Sequence, residues 1–488
     1  MRYDAAIIGA GTNGLAAAAT LAGAGLKTIV IERALTCGGR AATREFHPGF
    51  RASPWCDEIA PIPPGIFRAL DLARHGAIFV PTPSSLALWP DRRSEVLNWA
   101  RGEPWQRLDA ETCRRAGELR TRAFADTQPA RRWWQPASEP SRWPAQDWLR
   151  FSLSGLLGEM FSGSDARAHA MAAALGGRAA DPLLGGTALH LLAPTAGGTF
   201  AGGLATLAGA LTACARAAGA GISLGLEAAD IRLTGRRATG VRLADGTEIA
   251  VRAIISTLDL RRTFFSLFAW KDLSPKTIQR VSAYRHAPGT ARLLLALDAP
   301  PVIDANFIEG PIHIEPGEES SVNAHTAWRS GILPERLPMT LRVVSAADPR
   351  LAPTSKAVMT ATIGCIPPQL FDGAWTNEKR NAFSKRVLDT IERVLPGTAA
   401  HVLGSELILP PDIEDALGVT EGDLDGGEIA PDQMFDLRGF ADYPGGRTPI
   451  GGLYLGGRSS PAGPLGTCAG GVAAARAVMT DLAASRFL

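Results

Sequence analysis

The chain has 488 residues, 46% of them hydrophobic and 20% charged, with a formal net charge of +2 at pH 7. That length asks for more than one core, and a charge so near zero gives no ground for a nucleic-acid partner. No apolar run approaches the roughly 18 residues of a membrane span, no basic leader with a cleavage site precedes the first strand, and six scattered cysteines without a C-x-x-C spacing offer no redox dithiol, zinc site or disulfide framework. The expectation is a cytoplasmic protein with incidental thiols.

Residues 3–40 read YDAAIIGAGTNGLAAAATLAGAGLKTIVIERALTCGGR. Tyr3 to Ile8 reads as a buried strand and is followed by Gly9, Gly11 and Gly14 in G-x-G-x-x-G spacing. An Ala- and Leu-rich helix comes next, then a second strand, Thr28 to Ile31, ending at Glu32. Strand, loop, helix, strand and acid in this order predict a dinucleotide site. Gly9 permits the tight turn, Gly11 lets backbone approach a pyrophosphate, and Gly14 allows close helix–strand packing. The helix N-terminus supplies unpaired N–H groups to the phosphates. Glu32, with Arg33 beside it, stands where a carboxylate can accept hydrogen bonds from a ribose. A second glycine pair, Gly38-Gly39, precedes Arg40 and lets the chain pass close over a bulky cofactor, which Arg40 can face.

His47 follows in His47-Pro48-Gly49-Phe50, either a polar group of the site or a turn residue. Residues 104–190 read mainly helical, with breaks at Pro136, Pro140 and Pro144. The stretch 130–147 is rich in Pro, Arg and Trp. Seven of the 11 tryptophans fall at 89, 99, 105, 133, 134, 143 and 148. Helix packing, an aromatic-lined pocket or a peripheral membrane contact would each account for them. His190 sits in the apolar, Gly-rich run Asp181–Phe200 and is either a core residue or part of a cavity wall.

Residues 197–257 give a Gly-rich loop, a helix from about Leu204 to Ala218, a strand at Ile222–Leu224, a hairpin turning at Asp245-Gly246, and a strand near Ile254-Ile255. Strand-like runs at Arg292–Leu297, Met339–Val344 and Ala357–Ile363 suit an antiparallel sheet roofing the site. Glu378–Leu395 reads as an amphipathic helix with Phe383, Val387, Ile391 and Val394 on one face. Asp432 and Gln433 suit either a structural corner or substrate contact. The last segment, TPIGGLYLGGRSSPAGPLGTCAGGVAAAR over 448–476, runs a strand (Leu453–Leu455) through a Gly/Pro loop into a helix starting near Gly470. The eight histidines show no metal spacing, and no G-x-S-x-G nucleophile motif occurs.

Together, the N-terminal G-x-G-x-x-G…E…GGR, the segment after Gly202-Gly203 and the C-terminal T-P-x-x-G-L-Y-L-x-G resemble the FAD-dependent amine oxidase and phytoene desaturase superfamily. GGRAATREFHPGFRAS and the late GDLDGGEIAPDQMF are most similar to its phytoene desaturase-related branch. The resemblance implies FAD, with no metal. It places Gly9, Gly11, Asn13 and Gly14 on the pyrophosphate, Glu32 and Arg33 near the ribose, and Gly39 and Arg40 along the cofactor. Ala228 would meet the adenine through its backbone, and Gly457 with Leu465, Gly466 and Thr467 would sit beside the flavin. Relatives often carry a longer His-Pro-Gly-Gly-Gly type loop after the last strand, where this chain has Arg458-Ser459-Ser460-Pro461-Ala462-Gly463. Cys468 invites a covalent-flavin reading, but its spacing does not match that of relatives with such a link.

The implied fold class is α/β: a discontinuous Rossmann-like FAD-binding domain (1–80, 195–265 and 430–488) with an inserted α+β substrate or cap domain (81–194 and 266–429). The implied function is an FAD-dependent dehydrogenase or desaturase that removes hydride from an apolar, isoprenoid- or lipid-like small molecule. His47 and His190 are the candidate catalytic side chains. The alternatives are a flavin amine or amino-acid oxidase and a non-catalytic lipid-binding protein on the same fold.

Overall fold

The structure is a computed structural model that describes residues 3–82, 84–98, 150–191, 197–303, 310–464 and 467–484. Of the seven clustered tryptophans, Trp89 is described; the other six, the segment 130–147 and its proline breaks lie outside the described residues, as do Leu465 and Gly466.

The first strand, β1 (Ala5–Ile8), is wholly buried, and the helix α1 (Thr12–Gly23) and strand β2 (Thr28–Glu32) follow it. All four residues of β1 are small or branched apolar groups, as a strand covered on both faces requires. It lies at the centre of a five-stranded sheet ordered Leu453–Leu455, Ala253–Ser256, β1, β2, Gly221–Leu224. Every pair in it is parallel. On one face pack α1, the helix Leu204–Ala217 and the C-terminal helix Ala469–Ala484. The contact between α1 and the C-terminal helix needs glycine, because a Cβ on Gly471 would stand 1.9 Å from the Asn13 carbonyl oxygen. On the other face lies a three-stranded sheet (Ala228–Thr234, Arg237–Leu243, Glu248–Ala250). This is a Rossmann-like fold assembled from both ends and the middle of the chain.

A second, seven-stranded sheet runs Val402–Ile408, Ala291–Leu297, Ala357–Ile363, Met339–Val343, Ile312–Ile314, Ser84–Leu88, Ser94–Asn98. It is antiparallel except where Ile312–Ile314 runs parallel to Ser84–Leu88. The expected roof is therefore a mixed sheet. A short helix, Val344–Ala347, takes over where the strand was expected to include Val344. The amphipathic helix spans Asn377–Val394 and is capped by the Thr376 hydroxyl, which accepts from the Lys379 N–H. It covers one face of the sheet with Phe383, Val387 and Ile391. Two helices, Leu153–Met160 and Ser164–Leu175, form a smaller core with Met434 and Phe435.

Candidate functional site

The glycine loop between β1 and α1 has the geometry of a phosphate cradle. Gly9 has φ +101°, a conformation that side chains disfavour. A Cβ on Gly14 would stand 1.9 Å from the Gly9 carbonyl oxygen, so α1 can approach β1 only with glycine there. A Cβ on Gly11 would meet nothing within 4 Å. Gly11 is the N-cap of α1 and offers no side-chain oxygen to the first helical N–H groups. Those donors and the positive end of the helix dipole stay available to an anion. Gly38-Gly39 folds back on this same loop. The Gly38 N–H donates to the Ala10 carbonyl at 2.9 Å, and a Cβ on Gly39 would lie 3.2 Å from Gly11 Cα.

Glu32 ties the loop together. Its carboxylate accepts from the Ala10 N–H at 2.6 Å and from the Ala34 N–H at 2.8 Å. Arg33 donates to the Asp415 and Ala416 carbonyls, each at 2.9 Å, and so anchors the end of the neighbouring helix Pro410–Leu417. Gly9, Gly11, Asn13, Glu32, Arg33, Gly39, Arg40, Ala228 and Thr467 all line one continuous cavity of about 920 Å³. Gly14 and Gly457 are not on its wall. Gly457 is fixed by packing, with a Cβ there falling 2.4 Å from the Thr257 carbonyl oxygen. The Thr467 hydroxyl donates to the Ala60 carbonyl at 2.7 Å. A dinucleotide fits this wall: the space over Gly11 is open, and the buried Asn13 Oδ1 and Arg40 Nε have no protein partner among the described residues.

Beyond Arg40 the cavity reaches the seven-stranded sheet, and here the strand pattern decides its chemistry. In register across neighbouring strands, Arg292 faces Thr362, Thr362 faces Thr340, and Thr340 faces His313. One step along, Thr360 faces Arg342. The alternate residues, among them Leu293, Ala361, Leu341 and Ile312, lie in the core under the covering helix. The period of two therefore sends these polar side chains to one face. Ser85, His313, Thr340, Arg342 and Thr362 of that face line the cavity.

Three carboxylates organise the polar wall. Asp57 accepts from both terminal nitrogens of Arg292, each at 2.6 Å, and from the Thr360 hydroxyl at 2.9 Å. Burial would raise its pKa, but the Arg292 guanidinium outweighs this and holds it below the usual range. Glu58 pairs with Arg342 and accepts from the Thr82 hydroxyl. Burial pushes Arg342 down to about 10, partly offset by the charge of Asp57. Asp425 sits between Arg178, at 2.6 Å, and Arg458. Burial pulls its pKa up, but Arg178, Arg458 and Arg40 hold it well below the carboxylate range.

The two candidate histidines lie elsewhere. His47 ends the strand Arg44–His47, stacks at a tilt on Phe50 with centroids 5.5 Å apart, and packs against Gly404. His190 is 3% exposed in the short helix Thr187–Leu191 and is not on the cavity wall. Asp432 forms a bidentate pair with Arg285, and Gln433 bonds the Arg285 backbone, so this corner is structural. Cys468 is fully buried in the core under the five-stranded sheet and is absent from the wall. Sequence reasoning missed Asp57, Glu58, Arg178, His313, Arg342, Asp425 and Arg458. The alternation in Met339–Val343 and Ile312–Ile314 was the available signal for His313 and Arg342.

Three buried histidines predict a pH effect on stability. Burial and then the charge of Arg178 push His190 down to about 3, burial pushes His313 down to about 4, and burial with the neighbouring His313 holds His169 well below its ordinary value. Each native pKa is lower than its unfolded one, so between them the unfolded chain binds more protons. Stability is then present above about 6.5 and lost as the pH falls toward 4. The urea midpoint should decline over that window, and the decline should be shallower in His190→Leu. A flat midpoint from pH 7 to 4.5 would contradict the assignment.

Residues 7–68 match the family model of an NAD(P)-binding Rossmann-like domain. The chain is similar to the rat (Rattus norvegicus) pyridine nucleotide-disulfide oxidoreductase domain-containing protein 2, at 28% identity over 98% of this chain and 94% of that protein. It is 24% identical to a 4,4'-diaponeurosporene oxygenase of Staphylococcus haemolyticus, over 46% of this chain and 43% of that one. A solved triple mutant of putrescine oxidase shares the fold, with TM-score 0.63, 16% identity and 99% coverage of both chains.

Proposed function

Since the chain resembles the FAD-dependent amine oxidase and phytoene desaturase superfamily, and most of all its phytoene desaturase-related branch, we propose that it is an FAD-dependent oxidoreductase acting on a partly apolar, isoprenoid- or lipid-like small molecule. The observation that carries this is the continuity of the cavity. It runs from Gly11 and Glu32, across Arg40, to the polar face of the seven-stranded sheet. Gly9, Gly11, Asn13 and the N-terminus of α1 would hold the pyrophosphate, Glu32 the ribose, and Arg40 the part nearer the reacting ring. Bound FAD would supply a two-electron acceptor for a hydride from a substrate C–H, with oxygen, a quinone or another compound as the final acceptor. The sheet face and the loop Asp423–Gly426 would position the substrate.

Amine oxidation, the activity in the putrescine oxidase's name, is the second reading. The inner wall disfavours it, because Asp57, Glu58 and Asp425 each already hold an arginine. A cationic amine would find those carboxylates engaged and three cavity-lining guanidiniums, Arg178, Arg342 and Arg458, beside them.

The purified protein should absorb at about 450 nm, a property of oxidised flavin. Anaerobic mixing with candidate lipids should bleach that band. Colourless protein that cannot be reconstituted with FAD would overturn the cofactor reading, and bleaching by amines alone would favour the second reading.

A further inference from the structure

We infer that Arg178 and Arg458 form an anion subsite that receives the carboxylate of the substrate, which makes the substrate class a lipid-like acid. This rests on the flavoenzyme reading given above.

Both arginines line the cavity, and both hold the same carboxylate, that of Asp425. One negative charge between two guanidiniums leaves a positive excess. The surroundings do not cancel it. Arg40, on the same wall, directs Nη1 to the Leu424 carbonyl at 2.6 Å. Arg438, 0% exposed behind Arg458, is held by five backbone carbonyls. The nearby Asp423 is engaged by His286 Nδ1 at 3.0 Å.

The donors are also incompletely used. Arg178 gives Nε to Asp425 and Nη1 to the Leu175 carbonyl, and its Nη2 has no acceptor among the described residues. Arg458 gives Nη2 to Asp425 and to the Pro464 carbonyl. Its buried Nε has no partner among the described residues. Burial, and then the charge of Arg40, push Arg458 down to about 10, which a bound anion would relieve.

Position separates this subsite from the phosphate loop. Arg178 follows Gly177, whose carbonyl accepts from the Thr290 hydroxyl at 3.1 Å. A Cβ on Gly177 would lie 2.7 Å from Thr362 Cγ2, on the polar face of the sheet. This puts Arg178 at the sheet end of the cavity. A planar carboxylate matches the fork of a guanidinium, and the remaining polar sheet face would exclude an unfunctionalised hydrocarbon end.

The experiment titrates the FAD-loaded protein with octanoate, octanol and octylamine, reading the flavin spectrum and binding heat. Octanoate should bind and shift the spectrum, while octanol and octylamine should bind at least 10-fold more weakly. Arg178→Gln should weaken octanoate at least 10-fold with flavin content unchanged, and Arg178→Lys should recover part of the loss. Equal binding of the three probes would overturn the proposal, as would unchanged octanoate affinity in Arg178→Gln. Loss of flavin from a folded Arg178→Gln protein would show that the anion served is the cofactor's, which also overturns it. If Arg178→Gln does not fold, the three-probe comparison on the unsubstituted protein decides. Protein that holds no FAD would count against the flavoenzyme reading, and the binding heats would still test the subsite.

Discussion

Gly11→Val should abolish flavin retention while leaving the fold intact, whereas Gly14→Ala should do the reverse in kind: it should destabilise the protein itself. The two glycines are three residues apart and face different obstacles. Gly11 has φ −72°, which valine tolerates, and its Cβ would project into open space. On the proposed function that space admits a pyrophosphate, so a branched side chain would exclude the ligand without disturbing a neighbour. The unfolding free energy of the cofactor-free protein should change by no more than about 0.5 kcal/mol. At Gly14 the new Cβ would collide with the Gly9 carbonyl oxygen at 1.9 Å, and the obstacle is backbone, which cannot rotate away. Forcing α1 off β1 should cost about 3 kcal/mol. Flavin absorbance after gel filtration and urea unfolding of the cofactor-free protein measure the two effects separately. Normal flavin content in Gly11→Val would remove the loop from the site.

Asp57→Ala should destabilise the protein by about 3–5 kcal/mol, because it strands a charge in the interior. Arg292 is 1% exposed and gives both terminal nitrogens to Asp57. The loss exceeds that of an exposed pair, typically below about 1 kcal/mol, since no water can replace the carboxylate. Adding Arg292→Met should restore much of the stability by removing the stranded cation and keeping its volume. The pair joins the segment after the Gly38-Gly39 turn to the strand Ala291–Leu297 of the second sheet. Its loss should therefore also loosen the cavity wall, which hydrogen exchange at Thr360 and Thr362 would register. An Asp57→Ala protein as stable as the parent would show that the pair does not govern this junction.

What the sequence discloses depends on how local the cause is. The βαβ unit is legible because turn, cradle, helix start and acid all fall within residues 5–32 and each is set by near neighbours. The amphipathic helix shows in the spacing of Phe383, Val387 and Ile391 for the same reason. The sheet strands show as apolar runs, but the strand order and the parallel pairing of Ile312–Ile314 with Ser84–Leu88 depend on partners far along the chain. The inner wall is least legible. Arg178, Asp425 and Arg458 meet from three separate stretches, and nothing near any one of them names the other two. His47 and His190 stand out as residue types, and each also admits a packing role in the sequence; the structure places both off the cavity wall, His47 against Phe50 and His190 buried in a short helix.

The central strand β1 has its neighbours at Thr28–Glu32 and Ala253–Ser256, and the latter has Leu453–Leu455 beyond it. A ribosome must therefore deliver the chain through Leu455 before the sheet can close. Contacts of such long sequence separation make folding slow and leave unpaired strand edges exposed in the interim. Until the C-terminal helix docks by its glycines against α1, the nascent chain carries the glycine loop with α1 unsupported on that side. Growth temperature and chaperone supply should accordingly affect the yield of folded protein more than the equilibrium stability does.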